Sequence, residues 1–359
     1  MSIHFHRLTV KEVKKETDDC VSVSFEIPDT LQPDFIFKQG QSLSMRTNIN
    51  KEEVRRTYSI CSSPLDNELK VAIKKVEGGL FSSFANSELK KGDVLEVMQP
   101  VGKFYVELNP ANKKNYLGFA AGSGITPLLS IIKTTLRTEP NSSFTLVYGN
   151  KSRTSIIFFE ELEGLKNKYL QLFNFINILS RERTDAAINF GRINTAKLNE
   201  LEKLVDYTSF DDAFICGPEE MIFLVKDYLE AKGIDKKKIH FELFTTPGQR
   251  QTTDNRQLAT DNNGPKSKIT VKLDGRSFDF DLSLTSDTTI LDAALKQGAD
   301  LPFACKGGVC CTCKAKLLEG EVSMDVHWGL EDEEIEQGYI LACQSHPKTE
   351  KVVVDFDVK

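Results

Sequence analysis

The residues best suited to chemistry in this 359-residue chain are cysteines near its C-terminal end. Cys305, Cys310 and Cys313 follow the pattern C-x4-C-x2-C, and 29 residues separate the last of them from Cys343. A [2Fe–2S] cluster needs four thiolates for its two irons, and this is the spacing in which a plant-type cluster receives them. The sequence therefore predicts that these four cysteines hold a [2Fe–2S] cluster.

Other uses of these cysteines fit the pattern less well. A structural zinc site usually takes two C-x2-C pairs or a mixture of cysteine and histidine, and no second such pair follows. Disulfides belong to oxidising compartments, and the N-terminal residues lack the apolar stretch of a secretory signal. Gly307 and Gly308 suit a backbone that curls around a cluster and directs N–H groups at its sulfurs. We interpret Cys311 as a free thiol beside the loop, and the alternative is that it replaces one of the ligands.

Two short motifs in the first hundred residues have the composition of a flavin site. In the first, an arginine can bind phosphate through two hydrogen bonds while the nearby tyrosine packs on an isoalloxazine ring. In the second, two glycines precede a helix-like segment whose backbone N–H groups suit a pyrophosphate. Taken alone, each motif also fits an ordinary strand or turn. Their residues are Arg56, Thr57, Tyr58 and Ser59, and then Gly78, Gly79, Leu80, Phe81 and Ser82.

A glycine-rich turn later in the chain indicates a nucleotide site. The apolar run 116–121 precedes the turn and an apolar helical segment, 128–136, follows it, which is the context of dinucleotide-binding turns. Pro127 stands where the general GxGxxG fingerprint has its last glycine, so the turn alone also fits a plain strand-to-helix connection. The turn comprises Gly122, Ser123, Gly124, Ile125, Thr126 and Pro127, and a later strand ends in Cys216, Gly217 and Pro218.

Basic residues follow two of the predicted strands in this region. Arg153 comes after the strand 144–148, and Ser180 and Arg181 come at the end of the strand 172–179. NAD sites usually place an acidic residue about 20 residues beyond the glycine turn, where it holds the ribose 2′-OH. Arginines instead accept the 2′-phosphate of NADPH. We predict NADPH rather than NADH, and the alternative is that both arginines are surface charges.

The patterns around these motifs divide the chain into four parts. Residues 1–106 show short β-runs between turn signals, typical of a small barrel or sandwich. Residues 107–245 alternate apolar strands with helices, which indicates βαβ units and a parallel sheet. Residues 246–266 are polar and aperiodic, as in a flexible linker. Residues 267–359 open with a hairpin pattern around an Asp-Gly turn and then contain the cysteine loop.

Charge and composition limit the partners and the location of the protein. A net charge of −6 argues against nucleic acid as a partner. No run of about 18 apolar residues occurs, so we expect no membrane span, and the cysteine usage predicts a cytoplasmic location. Acidic residues cluster after the cysteine loop, at Asp325, Glu331–Glu334 and Glu336. Such a run is either a solvated helix face or a docking surface for a basic partner.

Taken together, these motifs resemble those of the ferredoxin–NADP⁺ reductase superfamily, with a plant-type ferredoxin at the C-terminus. Arg56–Ser59 and Gly78–Ser82 resemble its flavin motifs. Gly122–Pro127 and Cys216–Pro218 resemble its nicotinamide-nucleotide motifs, and Pro127 is the residue that this family has. The resemblance implies a multidomain fold, with an antiparallel β-barrel flavin domain, an α/β parallel-sheet nicotinamide-nucleotide domain and an α+β β-grasp ferredoxin domain.

The resemblance also implies an activity and roles for two residues. The nicotinamide of NADPH would stack on the flavin and give hydride to its N5, with Ser59 near N5 and Cys216 near the nicotinamide C4. Electrons would then pass singly to the cluster and on to an oxygenase component. We expect FAD rather than FMN, because the Gly78–Ser82 motif suits a pyrophosphate.

Within the family, the domain order and the cysteine loop are most similar to those of the reductase components of ring-1,2-phenylacetyl-CoA epoxidases, which serve a di-iron oxygenase. Reductases that use NADH to serve another oxygenase, hydroxylase or demethylase share this layout and are the alternative. A more distant alternative is a non-catalytic iron–sulfur interaction module. The sequence carries no motif that names the acceptor or the oligomeric state.

Overall fold

The structure, a computed structural model, describes residues 4–244, 265–303 and 305–358. The chain forms two compact units, one of Phe5–Leu243 and one that contains the C-terminal part of the chain from Phe244 onward. The predicted linker 246–266 falls almost wholly on residues outside the described part, which resumes at Pro265.

The first unit begins with a six-stranded antiparallel sheet in the order β4-β3-β6-β1-β2-β5. An isolated antiparallel bridge between Ile60, just beyond β4, and Val71 of β5 joins the two edge strands, so the sheet curves into a barrel. Alternating side chains of these strands fill its core, as strand geometry requires. The elements are β1 (Phe5–Thr17), β2 (Cys20–Glu26), β3 (Ser42–Ile49), β4 (Glu52–Ser59), β5 (Leu69–Lys74), α1 (Leu80–Ser87) and β6 (Val94–Met98).

A five-stranded parallel sheet with order β11-β10-β7-β8-β9 completes the first unit. The predicted helix 128–136 is found as α2, which begins earlier because Pro127 lies in its first turn, where a backbone N–H has no helical partner. The elements are β7 (Asn115–Ala121), α2 (Ile125–Thr138), β8 (Ser143–Asn150), α3 (Phe159–Lys168), β9 (Phe173–Leu179), α4 (Thr195–Leu201), β10 (Asp212–Cys216), α5 (Glu219–Ala231) and β11 (Ile239–Glu242).

A buried carboxylate holds the connection between the barrel and the parallel sheet. Glu139, directly after α2, is fully buried and accepts hydrogen bonds from the Asn109 backbone N–H at 2.9 Å and the Asn112 side chain at 2.7 Å. Its other oxygen accepts from the Tyr116 hydroxyl at 2.9 Å and the Ser142 hydroxyl at 2.7 Å. Four donors replace the water that this group loses on burial, and they fix the connecting segment against the end of α2.

The C-terminal unit is built on a mixed five-stranded sheet in the order β13-β12-β18-β14-β16. The predicted hairpin is present, and its turn places Asp274 and Gly275 at positive φ, as a tight two-residue turn requires. The cysteine loop lies between α6 and β14. The elements are β12 (Lys266–Leu273), β13 (Arg276–Ser283), α6 (Ile290–Lys296), β14 (Lys314–Glu319), β15 (Val322–Met324), α7 (Asp332–Glu336), β16 (Tyr339–Leu341), β17 (Ser345–Pro347) and β18 (Lys351–Asp355).

Candidate functional site

The motif Arg56–Ser59 forms the end of strand β4, where it pairs with β3. The Thr57 hydroxyl lies 3.1 Å from that of Ser44 across this ladder. Strand alternation separates Ser59, which is buried, from Tyr58 and the exposed Arg56 on the opposite face. The motif therefore presents a guanidinium and an aromatic ring on one face, which is the arrangement predicted for a flavin.

The Gly78–Ser82 motif leads into helix α1. Gly78 has φ +73°, a conformation that favours glycine, and Gly79 is the N-cap residue of the helix. The Ser82 hydroxyl donates to the Gly79 carbonyl at 3.2 Å and accepts from the Val76 N–H at 3.1 Å, which locks this turn. The buried Phe81 packs on Tyr58 with ring centroids 5.6 Å apart, so the two predicted flavin motifs are in contact.

A carboxylate that sequence reasoning did not single out links the two predicted reaction residues. The Ser59 hydroxyl donates to Glu242 Oε2 at 2.8 Å, and Glu242 is the register partner of Cys216 in the neighbouring strand. Burial raises the pKa of Glu242 to about 7, although the Ser59 hydrogen bond opposes the shift. Burial also raises the pKa of the Cys216 thiol well above its usual range, and the nearby Glu242 adds to that shift. Cys216 is thus an uncharged thiol, and Glu242 titrates near neutrality.

The predicted nucleotide turn lies so close to Cys216 that its central residue, Gly124, has no room for a side chain. A Cβ added to Gly124 would lie 2.0 Å from the Cys216 carbonyl oxygen, so only glycine fits there. The Tyr148 hydroxyl donates to the Gly122 carbonyl at 2.8 Å, and the Thr126 hydroxyl donates to the Ser123 carbonyl at 3.0 Å. The two predicted nucleotide motifs therefore form one surface at the carboxyl end of the parallel sheet, where α/β sheets bind ligands.

Helix α2 connects this surface to the segment that follows the first flavin motif. The Ser130 hydroxyl donates to the Ser62 carbonyl at 2.6 Å, and the hydroxyls of Thr134 and Ser63 lie 2.8 Å apart. An ion pair between Lys133 and Asp66, with N and O 2.7 Å apart, extends the contact. The flavin motif and the nucleotide turn are therefore held at a fixed spacing by direct hydrogen bonds.

The four predicted cluster cysteines lie close to one another. The sulfurs of Cys305 and Cys310 lie 3.1 Å apart, and the Gly307 N–H donates to Cys305 Sγ at 3.3 Å. Hydrogen bonds from Cys310 and then Cys343 lower the pKa of Cys305 well below its usual range. Hydrogen bonds to Cys305 and then Cys313 raise the pKa of Cys343. The contacts form a chain, from Cys310 through Cys305 and Cys343 to Cys313.

The four cysteines have the donor chemistry of a two-iron cluster, which takes two thiolates on each iron. In the described part of the chain, no group of three or more His, Cys, Asp or Glu side chains is arranged to hold a metal ion. Backbone N–H groups aimed at sulfur, as at Gly307, are the contacts such clusters use. All eight cysteines lie in the described residues without forming a disulfide, and Cys311 is part-exposed.

Three family models match the chain, each over one part of it. They are an oxidoreductase FAD-binding domain over residues 7–105, an oxidoreductase NAD-binding domain over residues 119–227 and a 2Fe-2S iron-sulfur cluster binding domain over residues 272–348. One of the component proteins of the 1,2-phenylacetyl-CoA epoxidase of Escherichia coli is 46% identical over 99% of this chain and 98% of its own length. The ferredoxin reductase component of the 3-ketosteroid-9-alpha-monooxygenase of Rhodococcus rhodochrous is 33% identical over 97% of this chain and 96% of its own length.

The chain belongs to the iron–sulfur flavoprotein reductases of oxygenase systems. The fold agrees, since phthalate dioxygenase reductase superposes with a TM-score of 0.59 at 23% identity and each chain is 98% covered. The 359-residue protein itself is therefore a reductase that transfers electrons from a pyridine nucleotide through FAD and a [2Fe–2S] cluster to an oxygenase component. In the described part of the reductase, no helix is long and apolar enough to cross a membrane.

The residues predicted to select the nucleotide lie on two adjoining turns of this reductase. The backbone N–H groups of Ser180 and Arg181 donate to the carbonyls of Asn150 and Lys151 at 2.9 and 2.8 Å. These bonds bring the turn that follows β9 against the turn that carries Arg153. Both arginines are exposed, and the Arg153 guanidinium lies 4.8 Å from the centroid of the Phe159 ring.

Sequence reasoning missed two carboxylates that lie beside the predicted site residues. Glu182 directly follows Arg181 and accepts a hydrogen bond from the Arg153 backbone N–H at 2.8 Å, so an acidic group lies beside the two predicted arginines. Glu242 is the other, and the signal that could have found it was its place as the last residue of the strand beside Cys216. Carboxylates at the carboxyl ends of parallel strands are candidates for a site there.

Proposed function

We propose that this protein is the reductase component of a phenylacetyl-CoA epoxidase and that it delivers electrons from NADPH to the di-iron oxygenase component. The observation that carries the proposal is the 46% identity to the Escherichia coli epoxidase component, which extends over 99% of this chain. The ketosteroid monooxygenase reductase, which serves a different oxygenase, is 33% identical over a similar length. A reductase of another oxygenase system is the second candidate.

The proposal is tested by reconstitution with purified components. The protein, a phenylacetyl-CoA epoxidase oxygenase component, phenylacetyl-CoA and NADPH should together yield the ring epoxide, and no product should form when the reductase is omitted. Failure to form the epoxide, by a protein that still reduces ferricyanide with NADPH, would contradict the proposed acceptor and leave the reductase chemistry intact.

The two flavin motifs are proposed to hold FAD in the barrel domain. Arg56 would bind phosphate, Thr57 and Tyr58 would line the isoalloxazine ring, and Gly78–Ser82 would bind the pyrophosphate. The contact between Phe81 and Tyr58 supports this assignment, because it places the proposed ring and pyrophosphate contacts side by side. FAD supplies the conversion of a two-electron donor into single electrons.

Ser59 and Cys216 are proposed to contact the reacting rings, with Glu242 as the residue that positions Ser59. The hydrogen bond from Ser59 to Glu242 fixes the hydroxyl at the barrel edge. The buried Cys216 thiol stays protonated, so it offers an uncharged surface on which a nicotinamide can pack. Gly122, Ser123, Gly124, Thr126 and Pro127, with Gly217 and Pro218, are proposed to bind the rest of the dinucleotide. Cys305, Cys310, Cys313 and Cys343 are proposed as the cluster ligands.

NADPH is proposed over NADH because Ser180, Arg181 and Arg153 lie on adjoining turns beyond the second and third strands of the parallel sheet. Both guanidinium groups are exposed and can reach a 2′-phosphate. Glu182 on the same surface is the observation that favours NADH, since a carboxylate suits a ribose 2′-OH and repels a phosphate.

Steady-state kinetics with both nucleotides decide between these alternatives. Arg153→Ala with Arg181→Ala should raise the KM for NADPH by about tenfold or more, because a charge-assisted hydrogen bond contributes roughly 1.5–3 kcal/mol. The KM for NADH should change little. A higher kcat/KM for NADH in the wild type would assign both arginines to the surface.

A cytoplasmic location is also proposed. It is supported by the eight cysteines, none of which forms a disulfide, because four of them must remain reduced to bind a cluster. Cell fractionation with detection of the cluster-loaded protein tests it, and recovery in a periplasmic or membrane fraction would contradict it.

A further inference from the structure

The net charge of this protein is concentrated in one short segment. Residues 325–336 contain six of the 52 acidic residues and no lysine or arginine. The remaining 46 acidic residues equal the 46 lysines and arginines of the whole chain in number, so residues outside the segment carry no formal net charge. The segment connects β15 to β16 and includes α7.

The first half of this segment packs on the loop that carries the cluster cysteines. The Gly329 N–H donates to the Gly308 carbonyl at 2.8 Å. A Cβ on Gly308 would lie 2.6 Å from Val326 Cγ2, and a Cβ on Gly329 would lie 2.8 Å from the Cys310 carbonyl oxygen. These approaches leave no room between the two stretches of backbone. Any partner that reaches the cluster from this side therefore meets the 325–336 segment.

Trp328, the single tryptophan of the protein, lies next to this contact and is partly exposed to solvent. Its side chain is 44% exposed, although tryptophan is usually buried for most of its area. The two residues that follow it hold the turn in place, Gly329 by its hydrogen bond to the cluster loop and Leu330 by its burial in the hydrophobic core. Among the described residues from 265 onward, the other large exposed apolar side chains are Leu318 and Val358. Neither lies on this turn.

The loop that this segment contacts carries the more exposed of the cluster cysteines. Cys305, Cys310 and Cys311 are part-exposed, whereas Cys313 and Cys343 are buried. Electrons leaving the cluster have their shortest path through the exposed cysteines, so an acceptor must bind over that loop. A rigid aromatic side chain on a preorganised turn loses little entropy on binding, and tryptophans of this kind dominate interface energies.

We propose that Trp328 is the anchor by which the oxygenase component binds, with the acidic residues at 325 and 331–336 forming the rim of the contact. The inference rests on the proposed function, because it takes the epoxidase oxygenase component as the occupant. The matching surface on that component is a pocket for an aromatic ring, surrounded by lysines and arginines. The rim charges speed and orient encounter, while the anchor supplies most of the affinity.

The test compares full-length reductase variants, loaded with FAD and cluster, in binding to the purified epoxidase oxygenase component. Trp328→Ala should raise the Kd and the KM for that component by about tenfold or more, as expected on truncating an interface anchor. Trp328→Phe should restore most of the affinity. Leu318→Ala, in the same unit and 46% exposed, is the matched control and should leave the Kd unchanged.

Charge variants test the rim separately. Asp332→Asn with Glu336→Gln should weaken binding at low salt and reduce its dependence on ionic strength. Asp281→Asn with Asp287→Asn removes two exposed charges from the same unit outside the segment and should change neither. Equal effects of the two pairs would show that net charge, rather than this rim, guides the partner.

A third measurement separates the oxygenase from the flavin domain of the same chain as the occupant. NADPH-driven bleaching of the cluster, followed by stopped flow without any oxygenase, should proceed at the wild-type rate in Trp328→Ala. Slower bleaching would assign the surface to internal electron transfer and overturn the inference. Tight binding that survives Trp328→Ala would also overturn it. A wild-type reductase that neither binds nor reduces the oxygenase component would overturn the proposed function itself.

Discussion

The cluster site and the flavin–nucleotide site are built in opposite ways. Three of the four predicted cluster ligands lie within one loop, from Cys305 to Cys313, and their contacts form inside a single unit. The flavin–nucleotide site depends on contacts between two sheets, and the residues of the Ser59–Glu242 hydrogen bond are 183 positions apart. A local site needs little more than the right spacing, whereas a site between two sheets needs both of them folded and packed.

The sharpest way to break this comparison is to remove one cluster ligand. Cys310→Ser should reduce electron delivery to the oxygenase by more than about 100-fold, since changes even to groups around metal ligands cost roughly 10–100-fold. Ferricyanide reduction by NADPH should be spared, because it requires only the first unit. Cys311→Ser is the matched control and should retain both activities. Equal loss of both activities in a folded Cys310→Ser protein would contradict the independence of the two sites.

A methyl group at the closest approach in the flavin–nucleotide site should have the next largest effect. Gly124→Ala places a Cβ 2.0 Å from the Cys216 carbonyl oxygen, so the turn and the strand must separate. We expect a loss of stability of about 1–3 kcal/mol, as for overpacked cores, together with slower reduction of FAD by NADPH.

The control for this variant lies in the same domain. Gly164, within α3, has no atom near its Cβ position, so Gly164→Ala should be neutral or stabilise by up to about 1 kcal/mol. Denaturant unfolding of both variants, with stopped-flow flavin reduction, provides the comparison. Wild-type behaviour of Gly124→Ala would show that the approach is not tight in solution.

The smallest effect is a pH dependence of stability that arises from Glu242. Its pKa in the folded protein is about 7, above the ordinary 4.5, so the native state binds more protons than the unfolded state between these values. The free energy of unfolding should therefore fall as pH rises from about 4.5 to 7, by up to roughly 3 kcal/mol. Glu242→Gln removes the titrating group and should flatten this part of the profile.

Thermal unfolding of both proteins across this pH range is the measurement. The exposed Glu88→Gln is the control, and it should reproduce the wild-type slope. An identical slope in Glu242→Gln would mean that Glu242 is already ionised in the native protein at low pH. The hydrogen bond from Ser59 would then outweigh its burial.

The difference between a site within one loop and a site between two sheets also explains which features could be predicted from the sequence. The spacing of the cysteines, the turn Gly122–Pro127 and the periodicity of the strands are local features, and each is readable from neighbouring residues. The parallel sheet and the hairpin at Asp274 were predicted in this way and are present in the structure. Glu242 has no local feature of this kind, since it becomes a partner of Ser59 only when the barrel edge meets the end of the sheet.

Glu139 and Glu182 were missed for the same physical reason. A glutamate after a helix ordinarily stays in solvent, and nothing near Glu139 in the chain announces that four donors surround it. Glu182 is one charge in a polar turn, and its bond to the Arg153 N–H exists only because the turns beyond β8 and β9 adjoin. Acidic side chains that accept hydrogen bonds from distant segments cannot be predicted from the spacing of residues in the sequence.

The four hydrogen bonds to Glu139 also limit where this chain can be joined to a related reductase in a chimera. A chimera joined between Asn112 and Tyr116 would take two of the four donors, Asn109 and Asn112, from the other parent, so half of the hydrogen bonds to this buried group would depend on the residues found there. A crossover placed before Asn109 keeps the connecting segment with the nucleotide domain to which it is bonded. When domains are exchanged between such reductases, the segment before the first strand of the parallel sheet should therefore be transferred together with the nucleotide domain.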